Sequence, residues 1–402
     1  MTEKKIVGYS GLTVPGFRAS GISCGVKKKA KLDLALILSD VDAEAAGLFT
    51  TNRVKAAPVL LDMERISSGK SRGVVVNSGN ANACTGKKGY DDSQKTASLV
   101  EKALGLKKGD ILVCSTGVIG VPLPIKKIES AVPRLVKKLD PQGLSEAASA
   151  ILTTDAFEKT FCAKKTIGGR PVTIAGIAKG AGMIAPDMAT MLAFFFTDAC
   201  IKSRVLGKAL REAVDATFNS IMVDNDTSTN DTVLAFANGQ SGCAEIKAGG
   251  DGYEGFAGLL KETALKLAHM IVRDGEGATK FVEIEIRGAT SAKEARRAVR
   301  TIAGSMLVKT AFFGGDPNWG RLIAALGRAG VSMDQSKVDI FFGHVPVVKG
   351  GLDAGNERRA AAVFKKGEFT VRVELNRGKG CARLWTSDLG YDYVRINSSY
   401  RT

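Results

Sequence analysis

Short apolar runs of strand length alternate along this chain with stretches whose apolar residues recur at helical spacing, and that alternation restricts it to an α/β fold. The strand-like runs are "LDLALIL" (32–38), "GVVVNSG" (73–79), "ILVCSTG" (111–117) and "PVTIAGI" (171–177), followed later by "KFVEIEIRG" (280–288), "KVDIFFG" and "FTVRVELNRG". Between them, helical spacing marks "DPQGLSEAASAIL" with Pro141 in its first turn, "SRVLGKALREAVDATF" and "FAGLLKETALKLAHMIV". A further helix, "SAKEARRAVRTIAGSML", is expected behind Ser291 as its cap. No repeat, low-complexity tract or linker divides the 402 residues, so both halves are expected to share one body.

Several function classes are excluded early. The longest uncharged apolar run, Met188 to Phe196, is about half the roughly 20 residues a membrane span needs. The N-terminus carries Lys4 and Lys5 but no apolar segment behind them, and a cytoplasmic, soluble protein is expected. Seven cysteines are scattered without a CxxC pair, against a disulfide framework or thiolate metal site, and most are expected to be small core residues. With only two histidines, a His-based triad or a zinc site is hard to build, and His269 reads as a helix residue. A net charge of +16 invites a nucleic-acid partner, but the lysines are dispersed and lack interleaved aromatics, so none is expected.

Three motif matches fail on inspection. "SGKS" (68–71) lacks the earlier glycine of a phosphate loop, since position 64 is Glu64. "GDGYEG" (250–255) follows a poor buried strand, which argues against a dinucleotide site. "DNDTSTND" (224–231) lacks the glycine of a calcium loop at Thr229 and reads as a polar turn network. No metal is expected.

Three other segments hold more promise. "NSGNANACTG" (77–86) and "CSTGVIG" (114–120) each lie at the end of a buried strand, where binding loops sit. A Thr-Gly step such as Thr116-Gly117 can aim a hydroxyl and a backbone N–H at one spot. "KGAGMIAPDMATMLAFFFTDA" (179–199) turns from a Gly/Pro loop into an apolar run at Thr190. A hairpin turn explains that pattern, and so does self-cleavage between Ala189 and Thr190. A threonine served by its own freed α-amine needs no histidine, and that amine has a reference pKa of about 7.7–8.0, suited to a general base. Gly180 and Gly182 would permit the unusual backbone such a seam requires.

"KGAGMIAPDMATML" resembles the signature of the ornithine acetyltransferases, the glutamate N-acetyltransferases of arginine biosynthesis. Eight further motifs in order extend the likeness along almost the whole chain: "TTNRVKAAPV", "NSGNANACTG", "STGVIG", "TTDAF", "DNDTSTNDT", "DGEGATK", "GGDPNWGRLIAALGRAG" and "DYVRINSSYRT". The resemblance implies a layered αββα-like body of mixed sheets flanked by helices, cut into chains 1–189 and 190–402 that stay interlocked and assemble as a heterotetramer. It implies that Thr190 is the nucleophile, that Thr116 and Gly117 form the oxyanion hole, and that Thr153, Lys179, Thr190, Glu276, Asn397 and Thr402 bind substrate. The implied reaction passes acetyl from N2-acetylornithine to glutamate through acetyl-Thr190, without a cofactor; whether acetyl-CoA serves as a second donor is left open. The alternative is an amidase or aminopeptidase with water as acceptor. Two positions depart from the family pattern: Asn225 stands where relatives often have glycine, and Ser387 replaces a common cysteine.

Overall fold

A computed structural model describes residues 11–28, 31–185 and 191–399. Its first sheet has four strands in the order β1 (Phe17–Ile22), β2 (Leu34–Ser39), β4 (Gly73–Asn80) and β5 (Ile111–Val118). The second has five, in the order β3 (Glu44–Phe49), β10 (Thr232–Ala237), β8 (Leu192–Thr197), β7 (Arg170–Lys179) and β6 (Lys159–Ile167). The strands that the sequence suggested at 32–38, 73–79, 111–117 and 171–177 all form within a few residues of the expected ends.

Alternation along each strand stacks these sheets into a four-layer body. Leu34, Leu36 and Leu38 of β2 face the helices α1 (Ala57–Arg65), α2 (Gly86–Leu104) and α3 (Ile125–Lys137), meeting Leu61, Val100 and Ile128. The intervening Ala35 and Ile37 face the other way, against Phe194 and Phe196 of β8 and Phe236 of β10. On the far side of the second sheet, Phe195 packs with Leu206 and Leu210 of α5 (Ser203–Ala216) and Leu267 of α6 (Asp251–Arg273). A strand covered on both faces must be apolar at every position, which is why "LAFFFT" does not alternate with polar residues. Each phenylalanine removed from water there contributes roughly 1.5–3 kcal/mol. The αββα layering is therefore present, with α4 (Leu144–Ile151) wedged into the core between the sheets.

Both halves do share one body, since β3, β6 and β7 of the first half pair in one sheet with β8 and β10 of the second, but the second half also builds a core of its own. A separate core forms on a seven-stranded sheet, ordered β14 (Leu352–Asp353), β13 (Val345–Lys349), β12 (Asp339–Phe342), β15 (Glu368–Glu374), β11 (Phe281–Ala289), β16 (Gly380–Ser387) and β9 (Ile221–Met222). It is covered by α7 (Ala292–Ala303), α8 (Met306–Gly314), α9 (Trp319–Gly327) and α10 (Glu357–Phe364). Composition gives no hint of this division because the two cores meet without a linker. The short β9 pairs with β16 and so carries the end of the second-sheet region into the seven-stranded sheet.

Local corrections follow from capping. The helix expected from 140 begins only at Leu144, since Asp140 is tied to Ala19 in a bridge and Pro141 stays in the turn. The single helix expected over 291–307 is two: Gly304 ends α7, and Ser305 caps α8 by accepting from Val308 N. Ser291 does cap α7, its Oγ accepting from Glu294 N at 3.2 Å. Ser291→Ala should cost about 1 kcal/mol of stability, measurable as a lower urea midpoint with an unchanged slope.

Among the described residues, no helix is long and apolar enough to cross a membrane. Three cysteines are buried (Cys114, Cys162, Cys243), two are half-buried and two, Cys84 and Cys381, are exposed, so the core role expected of most of them holds for fewer than half. His269 sits on α6 against the rings of Phe281 and Trp385, at 5.1 and 4.6 Å, and burial lowers its pKa to about 4.

Candidate active site

The second sheet and the ends of the first converge on one cavity of about 230 Å³. Thr116 and Gly117 enter from the end of β5, Thr153 from the loop after α4 and Lys179 from the last position of β7. Glu276 comes from the loop after α6 and Asn397 from the terminal helix α11 (Tyr391–Ser399). Six of the expected residues, far apart in sequence, thus share one wall-to-wall space. Ala189, Thr190 and Thr402 lie outside the described residues.

The seam loop is bracketed by structure on both sides. β7 and β8 pair antiparallel with Lys179 opposite Leu192, so residues 180–191 do connect hairpin partners. That connection is much longer than the roughly two to five residues of ordinary hairpin loops, and lengths beyond what a turn needs mark functional segments. Gly180 adopts φ +147°, a conformation that side chains avoid. Gly182 is glycine for a different reason: a Cβ there would lie 2.5 Å from Glu276 Oε2, so its bareness makes room for that carboxylate. The expectation of special angles at both glycines is met by Gly180 alone. After the seam, Met191 N donates to Asp231 Oδ1 at 2.9 Å. Asp231 is buried, its Oδ2 has no partner among the described residues, and burial raises its pKa well above the carboxylate range.

Gly117 has φ +132°, and a Cβ there would come within 2.4 Å of the Gly79 backbone carbon. The close approach follows from a bulge where β4 and β5 shift register at Gly79 and Asn80. Bulges re-aim backbone groups, and this one places the Thr116-Gly117 step on the cavity wall.

The asparagine-rich loop turns out to be scaffolding. Asn77 Nδ2 donates to Asn80 O at 2.8 Å, Asn80 Nδ2 to Val121 O at 3.0 Å, and Asn82 Nδ2 to Gly89 O at 2.8 Å. Asn82 and Cys84 take positive φ, and only Ala81 of this loop reaches the cavity. The "DNDTSTND" stretch is the polar turn network that was expected, but it also lines the site, which the sequence reading missed. Asp224 accepts from Met183 N (2.6 Å) and Ile184 N (2.8 Å), bracing the loop before the seam, and from Tyr393 Oη (3.3 Å). Burial raises its pKa. Asn225 has φ +73°, where glycine is strain-free and asparagine is the best-tolerated alternative, so its departure from the family pattern keeps the backbone. Ser387, the other departure, is buried and offers its carbonyl and Oγ to the buried ammonium of Lys309.

The lining mixes charges of both signs. Lys179 is almost fully buried, and its Nζ lies 4.0 Å from Asp155 Oδ2. Burial, with Lys159 nearby, lowers its pKa. Glu276 Oε2 accepts from Asn397 Nδ2 at 2.8 Å, which orients the carboxylate and ties α11 to the cavity wall. One buried cation and one oriented carboxylate in a small cavity suit a molecule carrying an anionic and a cationic end.

Comparison with known proteins agrees with this geometry. The profile of the ArgJ family matches residues 18–402. The arginine biosynthesis bifunctional protein ArgJ of Geobacter sulfurreducens is 53% identical, covering 97% of this chain and 100% of the relative. Its counterpart from Syntrophotalea carbinolica is 49% identical over 97% and 99%. A crystal structure of the ArgJ protein from Bacillus halodurans is 41% identical at a TM-score of 0.50, matching 98% of that solved chain with 52% of this one. With the motifs in order, the layered sheets in place and likeness running the full length, the chain belongs to the ArgJ family.

Proposed function

We propose that the chain is a glutamate N-acetyltransferase that moves acetyl from N2-acetylornithine to glutamate by a two-step exchange. The observation that carries this reading is the convergence of Thr116, Gly117, Thr153, Lys179, Glu276 and Asn397 on one cavity beside the strand that resumes at Leu192. The chain is first cut between Ala189 and Thr190. The freed amine of Thr190 then takes the proton of its own hydroxyl, and Oγ attacks the acetyl carbonyl of acetylornithine. Negative charge on the carbonyl oxygen is met by Thr116 and Gly117. The C–N bond breaks, ornithine leaves with the proton from the Thr190 amine, and an acetyl ester remains on Thr190. Glutamate's amine attacks that ester and gives its proton to the Thr190 amine, the bond from the acetyl carbon to Oγ breaks, the proton returns to Oγ, and N-acetylglutamate departs. Lys179 receives the substrate carboxylate and Glu276 an ammonium group, with Thr153, Asn397 and Thr402 setting orientation.

The relatives' description as bifunctional supports a second activity, which we assign to acetyl-CoA as an alternative acetyl donor. A solved family chain corresponding to about half of this one fits an enzyme working as two fragments, 1–189 and 190–402. Assembly as a heterotetramer of two of each, in the cytoplasm, completes the reading; small amino acids, not nucleic acid or membrane, are its partners.

The test supplies N-acetylornithine with and without glutamate. Ornithine release should depend on glutamate and be matched by N-acetylglutamate; free acetate forming equally in both would instead make the protein a hydrolase. Acetyl-CoA as sole donor should also yield N-acetylglutamate.

A further inference from the structure

Behind Lys179 lies a buried network that the reaction scheme does not use. The side chains of Lys159, on β6 opposite Ala178, and of Asp155 are wholly buried. All three N–H groups of the Lys159 ammonium are taken: Asp155 Oδ1 at 2.7 Å, Asp274 Oδ2 at 2.5 Å and Phe157 O at 3.3 Å. Asp155 is equally saturated. Its Oδ1 also accepts from Gly180 N at 2.6 Å, and its Oδ2 accepts from Thr153 N at 2.9 Å and Thr153 Oγ1 at 3.4 Å. Asp274 in turn holds Ala156 N.

Lys179 is the exception in this network. Its ammonium stands 4.0 Å from Asp155 Oδ2, close enough for attraction but too far for a hydrogen bond. A carboxylate with an open acceptor would pull a neighbouring ammonium into contact at about 2.8 Å. Asp155 has none open, because Lys159 and three other donors occupy it. We propose that Lys159 and Asp155 are positioning residues for Lys179: Lys159 on Oδ1, together with Thr153 on the nearer Oδ2, keeps the Lys179 ammonium from closing on Asp155 and leaves its N–H groups to a ligand carboxylate. Asp155 supplies the countercharge that keeps Lys179 protonated, and it ties Thr153 and Gly180, at the entrance to the seam, to the same point. This rests on the reading that Lys179 receives the substrate carboxylate.

The charged groups facing Lys179 are Asp155, Lys159, Asp231 and Glu276, with Lys27 close enough to feel it. Burial raises the pKa of Asp155, but Lys179 and Lys159 outweigh it and hold the carboxyl ionised far below the usual range. A lysine binds a carboxylate only while protonated, so binding is lost as pH rises through the lowered pKa of Lys179. Without the Asp155 charge that loss moves to lower pH.

The test compares three cleaved variants by KM and kcat for glutamate. Lys179→Met should raise KM at least tenfold, and an unchanged KM would overturn the carboxylate reading itself. The charge-balanced double variant Lys159→Met/Asp274→Asn vacates one acceptor site of Asp155, on Oδ1, for Lys179 to take; KM should rise at least tenfold with kcat within threefold of wild type. Wild-type KM in the folded double variant, with Lys179→Met impaired, overturns the proposal alone. Should the double variant not fold, Asp155→Asn decides: its KM should climb with pH at least one unit earlier than wild type, and a superimposable profile refutes the network's role.

Discussion

Replacing Thr190 with alanine should leave a single uncut chain with no measurable acetyl transfer. Two functions are lost together, because the same hydroxyl is assigned to attack the preceding carbonyl during maturation and the acetyl carbonyl during turnover. Removing a nucleophile of this kind costs roughly 10⁴-fold or more, since the remaining groups have nothing to activate. Denaturing mass spectrometry should find one species at the full 42.3 kDa in the variant and two fragments in the wild type. A fully active wild-type enzyme that remains in one piece would remove the amine base from the mechanism. Thr190→Ser keeps a hydroxyl and should retain part of both activities.

Thr116→Val should lower kcat about 10²–10³-fold, equivalent to some 2.7–4 kcal/mol of transition-state stabilisation, while KM stays close to wild type. Valine copies the shape of threonine at the end of β5, where Thr116 is buried on the cavity wall, so packing is preserved and only the donor is lost. A wild-type kcat would assign the oxyanion contact to backbone N–H groups alone. Gly117→Ala is a poorer probe. At φ +132°, with a Cβ 2.4 Å from Gly79, it would force β4 and β5 apart and confuse folding with chemistry.

The sequence carried the central strands of the two stacked sheets plainly, because a strand covered on both faces has to be apolar throughout, and "LDLALIL", "GVVV" and "AFFF" leave little choice, whereas β1, β3, β6 and β10 went unread. The independent core beginning at β11 was not legible: its strands alternate ordinarily, and nothing in local composition says which sheet a strand joins. Nine site residues were assigned through family motifs; the six that lie among the described residues all meet in one cavity, and Ala189, Thr190 and Thr402 lie outside them. The supporting groups were quoted in those motifs but unassigned. Asp155 in "TTDAF" and Asp224 in "DNDTSTNDT" act by accepting backbone N–H groups from loops about 25 and 40 residues away in the chain. Spacing in one dimension does not expose such contacts. Conversely, "NSGNANACTG" looked like a binding loop because asparagine serves equally well to tie a turn to itself, and here it does the latter.

The five-stranded sheet interleaves β3, β6 and β7 from before the seam with β8 and β10 from after it. Scission at residue 189 would therefore alter covalent connectivity while sparing every ladder that holds the pieces. The cost appears only on renaturation. A denatured precursor finds its partners within one molecule, whereas a denatured mature enzyme must bring two polypeptides together, so its recovery should be second order and fail on dilution. A chain cut after folding would survive heat or denaturant by resisting unfolding rather than by recovering from it.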